Sequence, residues 1–172
     1  AAVAEAVARE AAVLATYDRA VTMLAFRARA RSELRRSLIR KGEPAEQVDA
    51  ALERLAAAGL LDDAAFARQF ARARSGGTGA SKRRIQQELQ RRGVARDVTD
   101  GAIAEVYEEE EIDEGEVAER AARKKLRSLA GLDPAVRTRR LYAFLARRGY
   151  DSADIRRAIE VVTGEDAGFD SV

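Results

Sequence analysis

Apolar residues recur in this chain with a fixed spacing around three glycines, Gly42, Gly93 and Gly149. In each copy they stand eight and four residues before the glycine and six, ten and thirteen residues after it; Thr99 is the one polar exception. Such spacing places side chains on one helix face, so each copy predicts two amphipathic helices joined at the glycine. A repeat of this kind indicates a protein assembled from small helical modules. The positions are Leu34, Leu38, Val48, Leu52 and Leu55; Ile85, Leu89, Thr99, Ile103 and Val106; and Leu141, Leu145, Ile155, Ile159 and Val162.

A further helical stretch precedes each pair, so each module is expected to contain three helices. No alternating strand pattern is longer than a few residues. The predicted fold is all-α: three tandem three-helix repeats in an elongated, curved arrangement, with an extra N-terminal helix over about residues 2–14. We place an N-terminal helical extension at residues 1–16, repeat 1 at 17–62, repeat 2 at 63–112, repeat 3 at 113–163 and a flexible tail at 164–172.

The ends of the predicted helices carry recognisable signals. Each repeat glycine follows two basic residues, which suits the C-terminal end of a helix, where glycine adopts a left-handed turn and cations face the negative end of the dipole. Asp133 and Pro134 form a good N-cap followed by a first helical residue.

Composition narrows the function. Apolar residues make up 47% of the 172 residues but aromatic ones only 5%, which favours thin helix–helix cores. The chain has no cysteine and no histidine. Disulfides and thiolate metal sites are therefore excluded, and the usual general base is missing. We expect no enzymatic activity, no cofactor and no metal site. No apolar run approaches the roughly 18 residues of a membrane span, so no membrane association is expected.

Charge is segregated along the chain although the net charge is only +2. Residues 66–96 hold nine basic residues against one acidic residue, residues 105–119 hold nine acidic residues and no basic one, and residues 120–148 hold ten basic residues against one acidic residue. This segregation indicates an anionic partner for the basic faces.

The basic residues also follow the repeat. Seven residues correspond to nearly two helical turns, so Arg84 with Arg91, and Arg140 with Arg147, are expected to share a solvent-facing side away from the apolar stripe. Arginine faces of this kind suit phosphate contacts. The candidate residues for phosphate contacts with such a partner are Lys82, Arg83, Arg84, Arg91, Arg92, Arg123, Lys124, Lys125, Arg127, Arg139, Arg140, Arg147 and Arg148.

Two segments stand outside the repeat. The run from Ser75 to Gly79 is expected to be a flexible loop, and it lacks the residues of a nucleotide-binding P-loop. The acidic run Glu108–Glu111 is interpreted as a solvated linker between repeats 2 and 3, in preference to a segment that repels nucleic acid or contacts a basic neighbour.

Three stretches resemble the RecX family, and together the resemblance covers roughly residues 17–162. The most specific is Gly-Leu-Leu-Asp-Asp-x-x-Phe-Ala, at residues 59–67. The others are Lys-Arg-Arg-Ile-x-x-Glu-Leu-x-x-Arg-Gly-Val at 82–94 and Arg-Leu-Tyr-x-Phe-Leu-x-Arg-Arg-Gly-Tyr at 140–150.

The resemblance implies a bacterial cytoplasmic regulator of recombination, DNA repair and the SOS response that binds RecA recombinase filaments on DNA. On this interpretation the chain is a monomer that lies in the filament groove, contacts single- and double-stranded DNA through phosphates, and inhibits strand exchange, ATP turnover and filament growth. Two alternatives stay open: a stand-alone, non-specific DNA-binding protein with helix-turn-helix-like units, and a scaffold that binds no nucleic acid.

Overall fold

The computed structural model describes the backbone of residues 1–169 and the side chains of residues 1–164. Within that part of the chain there are nine α-helices and no strand, as the apolar pattern predicts. None of these helices combines the length and the apolar character needed to cross a bilayer. The helices are α1 (Ala2–Phe26), α2 (Arg31–Arg40), α3 (Ala45–Ala57), α4 (Asp63–Arg72), α5 (Lys82–Arg91), α6 (Arg96–Glu109), α7 (Glu114–Arg127), α8 (Pro134–Arg147) and α9 (Ser152–Phe169).

The chain divides into two compact units. Unit 1 comprises Ala1–Ala67 with Leu89–Thr99, and unit 2 comprises Arg68–Glu88 with the chain from Asp100 onward. In unit 1, helices α1, α2 and α3 pack against one another, and in unit 2 helices α7, α8 and α9 do the same. The boundary passes through α4, α5 and α6, so the middle module contributes residues to both units.

The apolar positions of the repeat form the core. Every one of them is buried in all three copies, and most have no exposed surface at all. Thr99 occupies its apolar position fully buried, and its hydroxyl has no hydrogen-bond partner among the described residues. The cores are thin, as the shortage of aromatic residues predicts: in unit 1, Ala20 of α1 packs with leucines and valine of α2 and α3, and in unit 2 Tyr150 joins the side chains of α7, α8 and α9.

The repeat glycines end α2, α5 and α8 in the same way. Gly42, Gly93 and Gly149 have φ values of +95°, +86° and +91°, in the left-handed region that favours glycine. At Gly42 the amide donates to the carbonyl of Ile39 at 2.9 Å, and the next amide donates to the carbonyl of Leu38 at 3.2 Å. These two bonds form a Schellman motif, which satisfies carbonyls at the end of the helix. The prediction of a C-terminal glycine turn is therefore confirmed.

Several expected boundaries differ from the structure. The break expected between residues 14 and 17 is absent, because α1 runs continuously to Phe26. Helix α9 continues past Val162 to Phe169, and the tail expected after Gly164 falls in part on residues 170–172, which lie outside the described residues.

The glycine-rich run is also different from the expected flexible loop. Residues Ala73–Thr78 form a π-helical segment that continues α4, and Gly79 ends it with a φ of +64°. The Ser75 hydroxyl donates to the carbonyl of Ala71 at 2.9 Å, and the amide of Ala80 donates to the carbonyl of Arg74 at 3.1 Å. These bonds to carbonyls of the preceding turn keep the run helical despite its glycines.

The start of α8 offers a local test of the cap predicted from the sequence. The Asp133 carboxylate accepts a hydrogen bond from the amide of Ala135 at 2.9 Å, and Pro134 is the first helical residue. Asp133→Ala is expected to destabilise the protein by about 1 kcal/mol, because the amide loses its acceptor. Asp133→Asn is the matched control, since an amide oxygen caps nearly as well. Urea unfolding of both variants checks the prediction, and equal losses of stability would show that the cap contributes little.

Candidate nucleic-acid interface

The arginines of α4 are paired with carboxylates. Arg68 lies 3.3 Å from Glu105, and Arg72 contacts Glu109 at 2.8 Å and Glu110 at 2.5 Å. Hydrogen bonding to Glu110 raises the pKa of Arg72, although burial works in the opposite direction. The interpretation of the acidic run as a solvated linker is therefore wrong: Glu109 and Glu110 contact a basic neighbour, because the C-terminal end of α6 lies beside α4.

Glu88 neutralises a second pair of arginines in unit 2. Its carboxylate lies 3.0 Å from Arg74 and 2.8 Å from Arg84. Arg84 is also half-buried, and its backbone approaches Gly149 closely. The expectation that Arg84 faces solvent is therefore wrong, because the side chain is held at a packed contact and its charge is already compensated.

Glu33 has the same role in unit 1. It accepts a salt bridge from Arg92 at 3.1 Å and contacts Arg27, while Arg29 lies 3.7 Å away. Burial opposes ionisation of Glu33, yet the hydrogen bonds and charges of Arg27 and Arg92 hold its pKa below the usual value. Arg36 donates to the carbonyls of Arg91 and Arg92 at 3.3 and 3.1 Å. Arg92 therefore takes part in a structural network, whereas the Arg91 side chain is exposed.

Helix α7 presents a different arrangement. Arg120, Lys124 and Arg127 are spaced four and three residues apart, which places them on one face of the helix. All three are exposed, and none forms an ion pair within residues 1–164. They line a cleft of about 500 Å³ in unit 2, together with the π-helical segment and residues of α8. Among the described residues that line it, none is acidic.

Two further cations of the cleft are held against Phe144. The Arg148 guanidinium carbon lies 3.6 Å from the ring centroid, and the Lys125 ammonium lies 5.9 Å from it. Arg148 also donates through Nε to the carbonyl of Thr78 at 2.6 Å. Burial lowers the pKa of Arg148, and the charge of Arg147 acts in the same direction. The side chain is thus fixed by the end of the π-helical segment and by an aromatic ring.

Helix α8 carries an exposed basic group outside the cleft. Arg139, Arg140 and Arg147 are exposed and form no ion pair within the described side chains. The buried positions Leu141 and Leu145 face the core of unit 2, which leaves these arginines toward solvent. The expectation that Arg140 and Arg147 are exposed is confirmed.

The remaining candidates are scattered. Lys82 is exposed and places its ammonium 4.5 Å from the ring centroid of Tyr107, whose pKa is raised to about 12 by burial. Arg83 and Arg123 are exposed. The charge of Arg83 also contributes, after backbone hydrogen bonds, to the lowered pKa of Asp151. The structure therefore groups Lys124, Lys125 and Arg127 of α7 with Arg148, and it keeps Arg84 and Arg92 in internal pairs.

Sequence reasoning missed Arg120 and the π-helical segment as parts of this surface. Arg120 belongs to the basic stretch that the sequence shows, and its spacing from Lys124 and Arg127 was the signal that could have selected it. No sequence signal places the segment beside α7, because that contact joins residues about 40 positions apart.

Models of one protein family match most of the length of the chain. Models of the first, second and third three-helix domains of RecX match residues 17–55, 62–103 and 112–159. The chain belongs to the RecX family.

Curated relatives agree with this assignment. Regulatory protein RecX of Mycobacterium avium is 43% identical over 83% of this chain and 80% of its own length. Regulatory protein RecX of Pelodictyon phaeoclathratiforme is 35% identical over 83% of this chain and 86% of its own length.

Solved structures support the fold. The crystal structure of RecX from Lactobacillus salivarius has a TM-score of 0.70 at 16% identity and covers 90% of this chain and 98% of that one. A second structure, of regulatory protein RecX, has a TM-score of 0.74 at 23% identity and covers 88% and 75%. In terms of the RecX domains, the cleft combines Ser75–Gly79 of the second domain with α7 and α8 of the third.

Proposed function

We propose that this chain regulates a RecA recombinase by binding its filaments on DNA, with the unpaired cations of α7 and α8 contacting phosphates. The observation that carries the proposal is the division of basic residues in unit 2. Carboxylates hold Arg68, Arg72, Arg74 and Arg84, whereas Arg139, Arg140 and Arg147 of α8 and the cations of the cleft have no carboxylate partner within the described residues. Uncompensated cations on one part of a surface attract a polyanion and bring it in by electrostatic steering.

The proposed partner follows from the family. The relatives are named regulatory protein RecX, and the resemblance of the sequence motifs implies a recombinase filament. A chain that occupies the filament groove is expected to block strand exchange, slow ATP turnover and stop filament growth. It would act as a monomer in the cytoplasm. The unpaired cations lie on two helices, which fits contacts to phosphates better than base readout by one recognition helix.

The test compares two triple variants with the same change in charge. The α8 triple variant removes three unpaired cations; it carries Arg139→Gln, Arg140→Gln and Arg147→Gln. The paired triple variant removes three cations that already hold carboxylates; it carries Arg35→Gln, Arg54→Gln and Arg72→Gln. Their partners are Asp49, Glu10 and the Glu109–Glu110 pair, respectively.

The α8 triple variant is expected to need about tenfold more protein for half-inhibition of RecA strand exchange, because charge-assisted phosphate contacts are lost. The paired triple variant is expected to change inhibition less than twofold. Circular dichroism should show intact helices in both, since exposed substitutions cost little. Equal effects of the two variants would mean that net charge alone governs binding.

Co-sedimentation with and without recombinase distinguishes the alternatives. The proposed function predicts that the chain binds a RecA–DNA filament more tightly than the same DNA alone. Equal binding to both would favour a stand-alone DNA-binding protein, and binding to neither would favour a scaffold.

A further inference from the structure

The glycine-rich run of the second RecX domain has no place in the proposed groove contacts, yet it forms one wall of the cleft in unit 2. The cleft has a volume of about 500 Å³, within the range of sites that hold small ligands. Five cationic side chains line it: Arg120, Lys124, Lys125, Arg127 and Arg148. A concave site lined by one sign of charge concentrates the electrostatic potential and the local density of counter-ions.

The cations converge from two helices. Arg120, Lys124 and Arg127 come from one face of α7, while Arg148 stands at the end of α8. At Glu88 and Glu110 the fold supplies carboxylates to neighbouring arginines of unit 2. At the cleft no described lining residue is acidic. The positive charge of the five cations is therefore available to an anionic ligand.

The site is preorganised on its α8 side. Arg148 is fixed by the Thr78 carbonyl at 2.6 Å and by the Phe144 ring at 3.6 Å. Tyr150 donates to the carbonyl of Gly79 at 3.1 Å, which ties the end of the π-helical segment to the loop after α8. A guanidinium held in this way loses little freedom when it binds an anion.

The rim of the cleft is unobstructed. Gly76 and Gly77 lie in the wall, and a Cβ atom added at either would meet nothing within 4 Å. Gly79 differs, because a Cβ atom added there would lie 2.7 Å from the Cβ of Ala121 on α7. One glycine thus brings the segment close to α7, and the two before it leave the entrance free of side chains.

We propose that this cleft binds a ligand with adjacent phosphate groups, either the backbone of a single DNA strand or a free polyphosphate such as that of a nucleotide. Adjacent phosphates carry several charges and accept hydrogen bonds on all sides, so they match cations that converge from two helices. A single carboxylate, in contrast, engages only one or two cations. The apolar floor of Val117, Ala121 and Phe144 leaves room for a base or sugar beside the phosphates. For the DNA backbone the proposal rests on the proposed function; for a free polyphosphate it does not.

Calorimetric titration of the full chain tests this proposal with four probes: tripolyphosphate, a hexamer of thymidylate, a duplex of equal length and a tetraglutamate peptide. Arg120→Gln with Lys124→Gln removes two cations of the cleft. Arg156→Gln with Arg157→Gln is the matched control, because these residues of α9 are exposed and lie outside the cleft lining. The dissociation constant for tripolyphosphate or the hexamer is expected to rise about tenfold or more in the first variant and less than twofold in the control.

A second pair of variants acts from the opposite wall. Gly76→Glu places a carboxylate at the rim of the cleft. It is expected to weaken phosphate binding about as strongly as Arg120→Gln with Lys124→Gln does. Gly76→Gln adds the same bulk without charge and is expected to have little effect. Gly76 has space for a side chain and a backbone φ outside the left-handed region, so both variants are expected to fold.

The probes separate the two sources of phosphate. Binding of tripolyphosphate identifies a site for a free polyphosphate, and binding of the hexamer alone identifies the DNA backbone; either supports the proposal if the cleft variants weaken it. Equal binding of tetraglutamate or preference for the duplex would overturn it, as would equal losses in the control. Failure of the α8 triple variant to reduce filament inhibition would count against the proposed function only, since those arginines lie outside the cleft.

Discussion

Replacing Gly149 with alanine is expected to destabilise the protein by about 2–5 kcal/mol. The backbone at this position has a φ of +91°, and a non-glycine residue in the left-handed region costs about 1–2 kcal/mol. The new Cβ would lie 2.6 Å from the Ser81 hydroxyl and 2.8 Å from the Cβ of Arg84. Relief of this overlap needs movement of α5 against α8, and overpacking of this kind costs about 1–3 kcal/mol more. The loss is large against a typical total stability of about 5–15 kcal/mol.

Gly42→Ala is the internal control for this prediction. Gly42 has nearly the same φ, +95°, but an added Cβ would meet nothing within 4 Å. Its cost is therefore expected to be the backbone strain alone, about 1–2 kcal/mol. Urea unfolding followed by circular dichroism gives both values. If the two substitutions cost the same, the close approach of Gly149 to Ser81 contributes nothing to stability.

Gly93 extends the comparison to unit 1. A Cβ there would lie 2.5 Å from the Cβ of Ser32, at the start of α2. In both units, then, a repeat glycine ends one helix and also packs against the beginning of a central helix of the preceding module. The spacing of the sequence predicts the first role, because a C-terminal turn is local. It does not predict the second, because the contact depends on how the modules stack.

The helices and cores could be predicted for the same reason. Apolar side chains every three or four residues specify which face of a helix is buried, and every predicted core position is buried, including the polar Thr99. The π-helical segment could not be predicted in this way. Glycine has low helix propensity, so the run from Ser75 to Gly79 predicted a loop. The structure keeps it helical through hydrogen bonds to the preceding turn and the approach of Gly79 to Ala121 on α7.

The candidate site was only partly predictable, because a basic stretch does not show which charges are already compensated. Arg72 and Glu110 are 38 residues apart in sequence and meet only when α6 folds beside α4. Arg84 carries the same repeat signal as Arg140, and Arg92 the same as Arg148, yet Arg84 and Arg92 are each held by a carboxylate. The sequence therefore overestimated the free positive charge of repeat 2 and missed the contribution of Arg120 to repeat 3.

Salt dependence is expected to separate the two kinds of arginine most strongly. Each phosphate contact to a single strand releases counter-ions and adds about −0.7 to the slope of log affinity against log salt concentration. If Arg139, Arg140 and Arg147 each contact one phosphate, the triple glutamine variant should have a slope shallower by about 2. Between about 50 and 200 mM salt, the intact chain would then lose about twentyfold more affinity for single-stranded DNA than the variant does.

The paired variant, Arg35→Gln with Arg54→Gln and Arg72→Gln, should keep the slope of the intact chain. Its arginines already hold carboxylates, as at Arg54, whose guanidinium lies 2.6 Å from Glu10, so few condensed counter-ions are displaced through them. Fluorescence anisotropy with a labelled oligothymidylate at several salt concentrations measures all three slopes. A slope that falls equally in both triple variants would contradict the assignment, because binding would then follow the net charge of the chain and not the unpaired cations of α8.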